Sequence, residues 1–265
     1  MMGNVQPVGD LLREWRQRRR LSQLDLALEA EISTRHLSFL ETGRARPSRD
    51  MVLHLAEQLD VPLRERNLLL VAAGFALVFR ERALKDPALD AARKAVDLIL
   101  KGHEPYPALA IDRHWTLIAA NDAARALMKV DDPALLVPPL NVLRLSLHPK
   151  GLGPRIANLS EWRAHVFERL RRQIEASADP VLVALLDELK SYPAPKSAPG
   201  AAALKPDPND VVVPFRLITE TGVLSFFSTT TVFGTPLDIT LSELALETFY
   251  PADEETQAAL KGMMP

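Results

Sequence analysis

The stretch from Leu21 to Pro47 constrains the fold more than any other part of the chain. Ser22 is a natural N-cap with Asp25 three residues on, close to a capping box with Asp in place of Glu, and it opens a short helix through Glu29. Ser33 caps a second helix, which runs to Thr42 and stops at Gly43. Two short helices that cross steeply need a small residue where they touch, apolar inner faces and a three- to four-residue turn. Ala27 supplies the small contact, and Leu26, Ala30, Ile32, Leu37 and Leu40 supply the inner faces. Thr34, Arg35, Ser38 and Phe39 are left pointing outward from the second helix.

This pair is one part of something larger. The chain has 265 residues, which suits two domains of about 100–200 residues each. Hydrophobic residues make up 47% and charged residues 25%, enough to bury a core and too apolar for wholesale disorder. Cysteine is absent. That excludes disulfides, a thiol nucleophile and cysteine-ligated metal, and it fits a reducing compartment. The longest nearly apolar run, Leu68 to Phe79, is 12 residues. A membrane span needs about 20, and the first residues carry no secretory pattern, so a soluble, cytoplasmic protein with no membrane partner is expected.

Net charge is −2, but it is unevenly divided. Residues 1–80 hold 12 arginines, no lysine and 10 acidic residues, whereas residues 81–265 hold 20 basic and 24 acidic ones. Arginine is the better residue for bidentate contacts to phosphate and guanine. Arg16, Arg18, Arg19 and Arg20 read as a solvated cationic face of a first helix over about Val8 to Arg19, with Leu11, Leu12 and Trp15 on the other side.

Two further helices complete the first 80 residues, one opened by Pro47-Ser48 and one by Pro62 that ends at Gly74. A helix begun by Asp86-Pro87 connects to an α+β region over residues 105–265. Strands are expected at Ala108 to Ile111 and Thr116 to Ala120, then helices from Asn121, Asn141, Leu159 and Pro180. Residues 193–210 hold five prolines and five alanines and read as a mobile loop. Beyond it, pairing Thr219 with Gly222 puts Phe215 and Leu217 beside Phe226 and Leu224 on one strongly apolar face. A third strand is expected from Leu237 onward, with a bulge near Ser242-Glu243 where its alternation slips.

Over about residues 8–74 the sequence resembles the phage-repressor-like (Cro/XRE) helix-turn-helix family. The resemblance rests on Ser22-Gln23, Leu26-Ala27, Ile32-Ser33 and the run Leu40-Glu41-Thr42-Gly43-Arg44-Ala45-Arg46-Pro47. It implies an all-α five-helix domain that binds double-stranded operator DNA. Gln23 matches the phosphate-contacting glutamine at a helix start, and Ser33, Thr34 and Arg35 the beginning of the recognition helix. Ser38 and Phe39 fall where further bases are read. Phe39 either touches a thymine methyl or packs half-buried on the domain surface. Arg44 and Arg46 are placed for backbone phosphate, and Glu41 is structural, because an anion facing phosphate would repel it. Glu31 stands where the family often has glycine in the turn.

The strands and helix over Pro107 to Met128, with Asn141 to Pro149, Asn158 to Arg163 and Leu224 to Leu241, resemble the MmyB-like ligand-binding domain that follows such modules in bacterial regulators. The resemblance spans about residues 105–255. It implies a multidomain protein whose second half is an α+β, PAS-like domain with an antiparallel sheet, enclosing an apolar cavity for a fatty-acyl-like ligand. It also implies a homodimer. Candidate wall residues are Phe215, Leu224 and Phe226 from the sheet and Leu143, Trp162 and Val166 from helices, although such residues also serve as ordinary core. His148 and Arg144 are candidates to meet a carboxylate, or else a surface histidine and a solvated arginine. The alternative is a ligand-free dimerisation and protein-interaction module. No cofactor is expected beyond the apolar ligand. No motif for catalysis is present, and the six histidines lack the spacing of a metal site on one helix.

Overall fold

A computed structural model describes residues 6–193 and 212–262 of the chain, so all but the first residue of the expected Pro- and Ala-rich loop lies outside the described residues. The chain divides into two compact units. One comprises the residues up to Arg82 with the short segments Glu175–Ala178 and Pro236–Ser242, and the other the remainder.

The first unit is built on five helices, α1 (Val8–Arg18), α2 (Gln23–Glu29), α3 (Thr34–Glu41), α4 (Arg49–Gln58) and α5 (Leu63–Ala72). Their starts are set locally. Ser22 Oγ accepts from Asp25 N at 3.1 Å while Asp25 Oδ2 accepts from Ser22 N at 2.8 Å, a complete capping box. Ser33 and Ser48 cap α3 and α4 through the amides of His36 and Met51. The turn into α3 passes through Glu31 at φ +53°, left-handed backbone that a side chain disfavours. Leu12, Trp15, Leu26, Ala27, Leu37, Leu40, Val52 and Leu55 are buried together as the core. Gly9 lets α1 cross the end of α3 at backbone contact: a Cβ there would lie 2.4 Å from the Leu40 carbonyl oxygen.

Arg16 and Arg19 depart from the solvated face expected of them. Arg16 is only 8% exposed and pairs with Glu41 of α3. Arg19 donates to the carbonyls of Leu59 and Asp60 at 2.8 Å each, closing the C-terminus of α4, and lies over the Trp15 ring. Periodicity alone puts Arg16 on the polar side of α1. Long side chains nevertheless reach the orphan carbonyls and buried carboxylate of neighbouring helices.

The second unit holds α6 (Asp90–Gly102), β1 (Ala108–Ile111), β2 (Leu117–Ala120), α7 (Asp122–Leu127), α8 (Val142–Leu147), α9 (Leu159–Ser177, whose last residues count with the first unit) and α10 (Pro180–Ser191). After the undescribed segment come β3 (Phe215–Thr219), β4 (Gly222–Val232), α11 (Ile239–Ser242, in the first unit), β5 (Ala245–Pro251) and α12 (Glu254–Gly262). The sheet runs β2-β1-β5-β4-β3, with every neighbour antiparallel. The β3–β4 hairpin pairs Thr219 with Gly222, Leu217 with Leu224 and Phe215 with Phe226, the register that the apolar alternation requires. Asn158 ties the start of α9 to this hairpin, donating to the Pro214 carbonyl at 2.8 Å.

The last strand begins later than its alternation suggests. Ile239 and Leu241 lie in α11, a single helical turn started by Asp238, whose Oδ1 accepts from Thr240 N at 2.9 Å. The slip near Ser242-Glu243 is therefore the change from helix to strand, and no bulge is required there. A local Asp cap outweighs a two-residue alternation too short to define a strand.

Candidate functional site

The exposed side of α3 is cationic because its one acid is withdrawn from it. Glu41 is 2% exposed and receives Arg16 through two bonds, Nε to Oε1 at 2.6 Å and Nη2 to Oε2 at 2.9 Å. Gln23 Nε2 donates to the same carboxylate at 2.8 Å. Burial pushes the Glu41 carboxyl up, but the bonds from Arg16 and Gln23 outweigh it and hold the group below the usual carboxylate range. Gln23, the first residue of α2, is thereby oriented with its second amide hydrogen left over.

Arg35, Arg44 and Arg46 are exposed, and Thr34, Ser38 and Phe39 are half-buried. Phe39 carries two guanidinium groups over its ring, with Arg35 Cζ 5.3 Å and Arg44 Cζ 5.9 Å from the ring centroid. An aromatic face that holds two cations restricts their rotamers while leaving their N–H edges outward. Ser33 Oγ is occupied in capping α3.

The second unit contains an apolar cavity of about 110 Å³ between one face of the sheet and helices α7, α8 and α9. Of the residues expected to line it, Leu143, Trp162, Val166, Phe215 and Phe226 stand on its wall. Phe215 packs against Trp162, Phe226 and Phe249, with centroid separations of 4.9, 6.3 and 6.1 Å. Leu224 and His148 are not on that wall. Leu224 is buried with Leu217, Leu127 and Leu260 in the core beside it. His148 follows α8, packs edge-on to Tyr192 at 5.1 Å and accepts from Lys150 N through Nδ1. Arg144 is likewise engaged elsewhere, gripping Glu188 from Nε at 2.8 Å and Nη2 at 2.7 Å.

Sequence reasoning missed the polar part of the wall, which consists of Ser146, His165, Arg169 and Glu247. A signal was present. Ala245, Glu247 and Phe249 alternate on one face of β5, so Glu247 is an acid at an inward position. Such a group needs a partner, and Arg169, one turn beyond Val166 on the apolar side of α9, supplies it. Among the described residues, no cluster of His, Asp and Glu is arranged to hold a metal ion, and no helix is long and apolar enough to cross a membrane.

A capped helix pair with a cationic outer face, followed by a unit with an apolar cavity, is the arrangement expected of a helix-turn-helix module joined to a ligand-binding domain. The comparisons agree. Residues 12–66 match the helix-turn-helix family, and residues 92–263 match the MmyB-like transcription regulator ligand binding domain. The chain belongs to the MmyB-like transcription regulators. It is also 33% identical over 126 residues to a protein of Methanoculleus marisnigri provisionally named an HTH-type transcriptional regulatory protein. That match covers 46% of this chain and 40% of the relative.

Proposed function

We propose that the protein is a cytoplasmic, homodimeric regulator whose operator affinity is set by a fatty-acyl-like ligand held in a PAS-like domain. The observation that carries this reading is the cavity, whose wall is predominantly aliphatic and aromatic. Burying an apolar chain against such a wall is favourable. Its volume of about 110 Å³ is on the order of the ~150 Å³ that admits benzene. A short acyl segment therefore fits as the wall stands, and a longer one enters by displacing flexible side chains such as Met128.

On DNA, α3 lies in the major groove. Arg35 reads a guanine edge, and Thr34, Ser38 and Phe39 contact neighbouring bases. Ser33 orders the helix start against the backbone, and Gln23, Arg44 and Arg46 grip phosphates. The withdrawal of Glu41 supports this division, since it removes the repulsion that an acid on α3 would exert. Two copies reading paired half-sites supply the affinity that one small module lacks.

The test uses full-length protein stripped of lipid. Ligands of graded chain length are added while melting temperature and operator affinity are followed. A ligand that binds only the folded state raises the melting temperature with concentration, and the same ligand must change operator affinity. If neither quantity responds to any chain length, the second unit acts as a ligand-free dimerisation module instead.

A further inference from the structure

The cavity wall carries four polar residues, and their charges cancel. Glu247 on β5 is 3% exposed and takes Arg169 through both oxygens, with Nη1 3.1 Å from Oε2 and Nη2 bonded to Oε1. Thr230 closes the group, accepting from Arg169 Nη2 at 2.7 Å and donating to Glu247 Oε1 at 2.9 Å. The Arg169 guanidinium also lies 4.5 Å over the Trp115 ring. His165 stacks on Trp162 at 5.4 Å. Burial, and then the neighbouring Arg169 and Arg172, push its imidazole below the usual histidine range, so at neutral pH it carries no charge. Ser146 Oγ accepts the Trp162 Nε1 hydrogen at 2.8 Å, which leaves its own hydroxyl proton to donate.

A carboxylate brought to these residues would give up its hydration and meet a fixed anion, Glu247, whose cation is already matched. The Ser146 proton and the imidazole offset only part of that loss. An uncharged head loses less on entry and finds partners: the Ser146 proton for its oxygen, and the neutral imidazole as donor or acceptor. Taking the cavity as the ligand site proposed above, we infer that it recognises the uncharged hydrogen-bonding head of an amphiphile (an alcohol, amide or ester) and rejects an ionised fatty acid of the same chain length.

The test titrates full-length protein at neutral pH with hexan-1-ol, hexanamide and hexanoate, by calorimetry and by melting temperature. The alcohol and amide are expected to bind roughly tenfold or more tighter than hexanoate, a difference well outside measurement error. In Glu247→Gln, which leaves Arg169 without its carboxylate, the order should reverse in favour of hexanoate. Hexanoate binding wild type as tightly as hexanamide would overturn the inference while leaving the cavity a ligand site. An unchanged preference in folded Glu247→Gln would also overturn it, because the ion pair would not then be the selector. If none of the three binds, the ligand-site reading falls and this inference falls with it. Should Glu247→Gln fail to fold, the wild-type comparison alone decides.

Discussion

Arg16 of α1 and Glu41 of α3 form a bidentate pair, at 2.6 and 2.9 Å, inside the first unit. Breaking such a pair from one side strands the other charge, at a cost of about 3–5 kcal/mol. Glu41→Gln should therefore destabilise this unit heavily in a denaturant melt, whereas replacing both residues by apolar ones should cost much less. Because the folded carboxyl is held below its ordinary value, the stability it contributes is complete above about pH 4.3. It is lost as pH falls through the lower folded value. A melting midpoint that stays flat down to the most acidic buffers would contradict this.

Arg35 is exposed near the start of α3 and steadied by Phe39. A good bidentate contact to guanine is worth about 1–3 kcal/mol of discrimination. In a selection from randomised duplexes, Arg35→Ala should lose preference at one or two base pairs and keep it elsewhere. A sequence profile identical to wild type would remove Arg35 from base reading.

Arg44 and Arg46, exposed after α3, should behave differently. Alanine at either position should weaken all duplexes alike and reduce the slope of log affinity against log salt by about one unit. Altered base preference with an unchanged slope would assign them to bases instead.

The turn at Glu31 invites a stabilising change. Left-handed backbone costs an L-residue about 1–2 kcal/mol, and glycine adds roughly 0.5–1 kcal/mol of unfolded-state entropy. Glu31→Gly should therefore gain about 0.5–1 kcal/mol and raise the melting temperature, with operator specificity unchanged. A loss of stability would mean that the Glu31 side chain contributes something the backbone account omits.

Phe226 is 1% exposed and stands on the cavity wall. Phe226→Ala should cost about 3–5 kcal/mol if the site does not collapse. The enlarged cavity should then shift ligand preference toward longer chains, read as the chain length that gives the greatest rise in melting temperature. Lost stability with no change in that optimum would make Phe226 core alone.

Much of this was legible along the chain because it is local. Ser22, Ser33 and Ser48 act within three residues of themselves, and the β3–β4 register follows from alternation around a two-residue turn. What was not legible depends on partners distant in sequence. Arg16 looked solvated because Glu41, its partner, lies 25 residues away. Alternation puts Leu224 on the cavity face of the sheet, but that face extends past the void and its far part packs against α12. Arg169 and Glu247 meet across 78 residues, and no periodicity in either segment announces the other.

The position of β5 carries one more consequence. The last strand in sequence lies in the middle of the sheet, between β1 and β4, and it supplies Glu247 and Phe249 to the cavity wall. During synthesis a chain emerges N-terminus first. The helices around α3 find their partners among near neighbours, whereas β1 must wait for more than half the chain before Leu246 and Thr248 arrive beside it. On the ribosome, the helices around α3 can therefore close on one another before the cavity of the second unit has walls.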